Sequence, residues 1–180
     1  MALPSTVYKA SVQLSDIDRG VYESLQTTIA QHPSETAERL VARLLAYAIF
    51  YEPELFFTKG ISATDEPDLW VKSGDGRVRL CVEVGLPDPD RIIKASRHSE
   101  RAVLLLCGKN LASWEQQHLS KLERLDNLIV IVIDQAFIAG VAATLERSIN
   151  WSVTITEGTL YLTIGEESLE TAIQVRIGTR

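Results

Sequence analysis

Two carboxylates 15 positions apart, Asp68 and Glu83, are the residues of this chain best suited to chemistry. Pro67-Asp68 opens one short strand-like run, Asp68 to Lys72, and Glu83 lies near the end of another, Val78 to Val84. On adjacent antiparallel strands the two acids converge, and carboxylate oxygens completed by water suit a hard cation such as Mg²⁺. Glu38, in the first turn of a predicted helix, is the preferred third oxygen ligand, because Glu35 stands in the capping turn, where its charge answers the helix dipole. Lys94 is the candidate cation, with Arg91 three residues earlier on nearly the same helical face and His98 one turn beyond. Structural roles stay open: Asp68 can secure a strand start, Glu83 can be an exposed strand carboxylate, and Lys94 a solvated helix lysine.

The elements that must position these residues follow from periodicity and punctuation. Thr6 to Leu14 alternates like a half-buried strand, and Tyr22 to Ile29 returns as its hairpin partner across the Asp- and Gly-rich turn Asp16 to Gly20; a short helix is the other reading of that second segment. His32-Pro33-Ser34-Glu35 announces a helix to about Tyr51, with Ser34 as its cap. Leu55 to Thr58, Asp68 to Lys72 and Val78 to Val84 form a meander of short strands. Asp88-Pro89 is a cap followed by proline at the first helical position, opening a helix through Arg97. Strand Ala102 to Cys107, helix Ala112 to Leu122, strand Leu128 to Ile133 and helix Gln135 to Glu146 then alternate, which predicts parallel pairing through right-handed crossovers. Val153 to Ile155, Leu160 to Ile164 and Ala172 to Ile177 read as strands, with Glu157-Gly158 as a hairpin turn. The terminal strands are expected to extend the central sheet and cover its edge.

The 180 residues suit one domain, 1–180, with a core over about 34–134 and extensions at 1–33 and 135–180, and folding a chain of this size buries roughly 70% of the surface exposed when it is unfolded. Apolar residues at 46% and charged residues at 23% argue against disorder, and the longest apolar runs fall well short of the ~20 residues of a membrane span. The amino terminus lacks the pattern of a signal peptide, so a cytoplasmic location is expected. Cys81 and Cys107 lie inside apolar runs and are expected as reduced, buried thiols. A net charge of -6 excludes bulk coating of a polyanion, yet Arg91 to Lys109 carries five cations against Glu100 alone, enough for a local basic patch. Trp70 and Trp114 are expected as packing anchors.

The order αβββαβ from Ser34 to Cys107, with Pro67-Asp68 opening the second strand and Glu83-Val84-Gly85 ending the third, is similar to the PD-(D/E)XK phosphodiesterase superfamily. More specifically, HPSET before the helix, DEPDLW, and VEVGLPD running into RIIKA resemble the YaeQ family over nearly the whole chain. The resemblance implies an α+β fold: a restriction-endonuclease-like αβββαβ core with a mixed sheet and strand-rich terminal extensions. It further implies a Mg²⁺- or Mn²⁺-dependent nuclease in which Asp68, Glu83 and Glu38 hold the metal. The superfamily's lysine follows the second acid by two positions, ~6 to 7 Å along the same strand face. Here that position is Gly85, so Lys94 is expected to supply the missing charge from the next helix. The alternative is a non-catalytic module that keeps the fold and binds nucleic acid or a protein. A monomer is expected.

Overall fold

Alternating apolar residues give Thr6–Asp16, strand β1, one dry face, and Val21–Gln31, strand β2, which buries Leu25 and Ile29 on one face, pairs with it antiparallel along its whole length. The computed structural model describes residues 4–59 and 65–180. Helix α1, Ala37–Ile49, is buried at every residue from Leu40 onward, so its apolar positions run around the whole helix. Its cap is Thr36, whose hydroxyl accepts from Arg39 N at 3.1 Å, and not Ser34, whose Oγ lies 2.7 Å from His32 Nδ1. The expected meander forms from β3, Phe56–Phe57, β4, Leu69–Lys72, and β5, Val78–Gly85, all paired antiparallel.

From β5 onward the chain alternates as expected. Helix α2, Pro89–Arg97, is capped by Asp88, and β6, Ser99–Leu106, pairs parallel with β5. Helix α3, Leu111–Leu122, leads to β7, Leu128–Val132, parallel to β6, and α4, Gln135–Ala143, follows under an Asp134 cap. The tail supplies β8, Ser148–Thr156, and β9, Thr159–Ile164, whose turn at Glu157-Gly158 has positive φ at both residues, the geometry that keeps a two-residue hairpin in step with strand twist.

The tail departs from expectation in one respect. The segment read as a single strand, Ala172 to Ile177, divides at Ile173: β10, Glu167–Ala172, pairs with β9, while β11, Gln174–Ile177, pairs with β7. Only β11 extends the central sheet. The other terminal strands form a second sheet, in the order β10-β9-β8-β1-β2, against a six-stranded sheet in the order β11-β7-β6-β5-β4-β3. Both sheets are mixed, and with the four helices among the described residues they make an α+β fold.

One hydrophobic cluster joins the inner faces of both sheets through α1, with α4 beside it; it includes Val12 and Val153 from one sheet, Leu44 from α1, and Val82 and Leu105 from the other. A second cluster lies on the opposite face of the six-stranded sheet, where Ile92 of α2 and Trp114 of α3 cover Leu104 and Val130. The central strands β5, β6 and β7 are therefore covered on both faces, as their near-continuous apolar sequences require. No helix among the described residues is long and apolar enough to cross a membrane.

Candidate functional site

At the carboxyl ends of β5 and β6, where open sheets with parallel strands commonly bind ligands, lies a cleft of about 740 Å³. The start of α1 supplies Arg39 and Glu38 to its wall, the end of β5 supplies Glu83 and Gly85, α2 supplies Arg91, and Lys109 follows β6. Asp68 and Glu83 both line it. They meet because Leu69 pairs with Val82, which sets Asp68 opposite Glu83 across an antiparallel ladder, and Asp68 N donates to Val82 O at 3.0 Å.

Each acid is held by a guanidinium. Asp68 is 2% exposed; its Oδ1 accepts from Arg39 Nη2 at 2.7 Å with Arg43 Nε 3.5 Å away, and its Oδ2 accepts from Val84 N at 2.8 Å. Glu35, buried and outside the helix, accepts from Arg39 Nη1 at 2.8 Å and from Arg43 Nη1 at 3.1 Å. Glu35, Arg39, Asp68 and Arg43 thus close a ring of alternating charge that ties the segment before α1 to the entry of β4. Burial opposes the charge of Arg39, yet Asp68 and Glu35 prevail and its pKa is raised. Glu83 Oε1 accepts from Arg91 Nε at 2.9 Å, and Arg91 Nη2 also donates to Glu66 O at 2.6 Å. Burial pushes the Glu83 carboxyl up to about 7 against the opposing pull of Arg91, with Asp68 adding to the rise.

Gly85, at the end of β5, has a φ of +116°, one that side-chain-bearing residues rarely adopt. A Cβ built there would lie 3.8 Å from Arg39 Nε, so Arg39 brings a cation to the start of the space a lysine would use. Its Nε has no hydrogen-bond partner among the described residues. Lys94 is elsewhere: exposed on α2, it lines a neighbouring cavity with Glu83 and does not line the cleft that holds Asp68. Glu38 is on the cleft wall, but among the described residues no group of three or more His, Cys, Asp or Glu side chains is placed to hold a metal. Arg39, Arg43 and the paired role of Glu35 escaped the sequence reading. Their signal was the spacing 35, 39, 43: Arg39 and Arg43 fall on one face of α1, and Glu35 stands just before its first turn in line to meet both.

Both cysteines are free, buried thiols, with burial pushing Cys81 up to about 12 and Cys107 to about 11, so neither is a ready nucleophile. Trp114 is an anchor whose indole donates to Pro87 O at 2.8 Å.

A two-sheet α+β protein with an arginine-braced pair of acids at its strand ends is the class that fold and cleft define. Its sequence matches the model of the YaeQ protein family over residues 1–173. The "Uncharacterized protein YaeQ" of Escherichia coli (strain K12) is 37% identical over 171 residues, covering 94% of each chain. The crystal structure of YaeQ protein from Xanthomonas axonopodis pv. citri superposes with a TM-score of 0.94 at 37% identity, covering 98% of this chain and 100% of that one. That of YaeQ protein from Pseudomonas syringae gives 0.94 at 44% identity, covering 99% of each. The chain belongs to the YaeQ family.

Proposed function

We propose that the chain is a variant of the PD-(D/E)XK phosphodiesterases that cleaves nucleic acid with Mg²⁺ or Mn²⁺ held by Asp68 and Glu83, Arg39 standing in for the strand lysine. The observation that carries this reading is the meeting of Asp68, Glu83 and Arg39 in one cleft, with Arg39 Nε 3.8 Å from a Cβ built at Gly85. The donor set suits the cation: two hard carboxylates suffice for an ion that keeps several waters, and Glu83 is a buried acid whose burial Arg91 alone does not offset. When bound, the cation would neutralise phosphate charge and lower the pKa of the attacking water. Arg39, held by Glu35 and Asp68, lines the cleft with an uncommitted Nε–H that can donate to a phosphate oxygen as charge develops. Glu38 on the cleft wall offers a carboxylate to a water of the metal shell.

The test is cleavage of a panel of single- and double-stranded DNA and RNA with Mn²⁺ or Mg²⁺. Cleavage is expected to vanish with EDTA and with the Asp68→Ala, Glu83→Ala double variant, and to fall about 100-fold or more in Arg39→Ala, the scale of a lost charge-stabilising donor. A double variant that cleaves like the parent overturns the assignment.

A second reading, a non-catalytic module that binds nucleic acid or protein, draws on the pairing of each acid with an arginine, which partly satisfies both without a metal. It predicts binding with no metal-dependent turnover on the same panel.

A further inference from the structure

We infer that the cavity sharing Glu83 and Arg91 with the cleft receives one unpaired nucleotide of a single-stranded nucleic acid, next to the phosphodiester held in the cleft. This rests on the phosphodiester reading above. The cavity measures about 400 Å³, within the usual range for a small-ligand site. One face of α2 forms a side of it: Arg91, Lys94, Ala95 and His98 recur at helical spacing, while Ile92 and Ser96 turn into the protein.

The opposite side comes from the sheet. Trp70 and Cys81 are ladder partners and so share a sheet face, and Glu83 follows Cys81 by two residues on that same face. The indole of Trp70 is the aromatic surface of the cavity; Lys72 Nζ lies 3.5 Å from its ring centroid, and its Nε1 is buried with no hydrogen-bond partner among the described residues. A nucleotide supplies a flat ring to set against the indole face that Lys72 leaves uncovered. Lys94 and His98 are exposed along the α2 side, Asp90 and Asp65 also line the cavity, and Lys94 has no ion pair among the described residues. That ammonium suits the phosphate of the inserted nucleotide. Since Glu83 and Arg91 border both spaces, a strand whose phosphodiester lies in the cleft brings its neighbouring nucleotide to the cavity. A duplex would first have to unpair and unstack that base, so the ligand class is single-stranded.

The experiment is anisotropy of a labelled thymidine oligonucleotide in EDTA, so that binding is read apart from turnover, with a blunt duplex of equal length beside it. The single strand is expected to bind about tenfold tighter than the duplex and to quench tryptophan emission, and Trp70→Leu is expected to remove both effects. Lys94→Glu, at an exposed position where folding is not at stake, is expected to weaken the single strand about tenfold. Equal affinity for the two forms, or single-strand affinity unmoved in both variants, overturns the inference. Equal affinity accompanied by metal-dependent cleavage would leave the phosphodiester reading standing, whereas failure to bind or cleave any nucleic acid would overturn both.

Discussion

Gly85 separates chain-level resemblance from local geometry. At φ +116° its backbone disfavours any side chain, and Arg39 Nε lies 3.8 Å from where a Cβ would stand. Gly85→Lys, which would supply the lysine of the proposed phosphodiesterase motif, is therefore expected to destabilise the fold by about 1 to 3 kcal/mol, measured by urea unfolding, without raising any activity. A more active Gly85→Lys protein would mean that Arg39 does not hold the lysine's role. Glu83 carries a second consequence. Burial raises its folded pKa from 4.5 to about 7, so between those values the metal-free native state holds a proton that the unfolded state releases. The contribution is fully present below about pH 4.5 and is lost as pH rises through about 7, with a slope of at most about 1.4 kcal/mol per pH unit. Glu83→Gln is expected to lose that slope when unfolding curves of the two proteins are compared across the window.

Helix α1 shows how an element carries the site. Its first turn is fixed by Thr36, and Arg39, the residue whose N–H the Thr36 hydroxyl accepts, is the one that reaches Glu35, Asp68 and Val84 O. Thr36→Ala is expected to cost about 1 kcal/mol in thermal or urea unfolding and to weaken nucleic acid binding, through frayed placement of Arg39. Much at this scale was legible in the sequence. Asp88-Pro89 marked the start of α2, and Glu157-Gly158 marked the β8–β9 turn, because both signals are local backbone chemistry. Apolar runs located β6 and β7 because strands covered on both faces must be apolar nearly throughout. The cap of α1 was misread because Ser34 and Thr36 offer the same hydroxyl two residues apart, and only the hydrogen bond to Arg39 N distinguishes them. Partner choice was not legible either: Ala172 to Ile177 alternates without a break, yet its halves join different sheets. Within the site, the convergence of Asp68 and Glu83 followed from strand pairing alone. The arginines did not, since a helix lysine and a helix arginine look equally exposed until packing decides which one turns inward.

Two sheets sharing one core must be closed at their ends as well as along their faces, and Asp16 is where that closure concentrates. It is fully buried at the end of β1, pairs with Arg19 Nε at 2.7 Å, and accepts from Arg180 beyond β11. Arg180 also donates to Ile49 O at the end of α1, so a single carboxylate links the five-stranded sheet, the central helix and the chain that leaves the six-stranded sheet. Burial lowers the pKa of Arg180 in spite of the pull of Asp16, and its Nε is buried without a hydrogen-bond partner, so its charge depends on that carboxylate. Asp16→Asn keeps the shape and one acceptor but removes the charge, leaving Arg180 underneutralised and Arg19 without its near partner. The expected loss is about 3 kcal/mol, the scale for breaking a buried pair. Because the main cluster contains residues of both sheets with α1 between them, that loss is expected to be shared by the whole molecule. Trp151 reports on the five-stranded sheet and Trp70 on the six-stranded one, so variants retaining one or the other indole should show coincident urea transitions, both shifted to lower denaturant by Asp16→Asn. If Trp151 reports unfolding before Trp70 does, the sheets are separable units and the closure at Asp16 serves only its own.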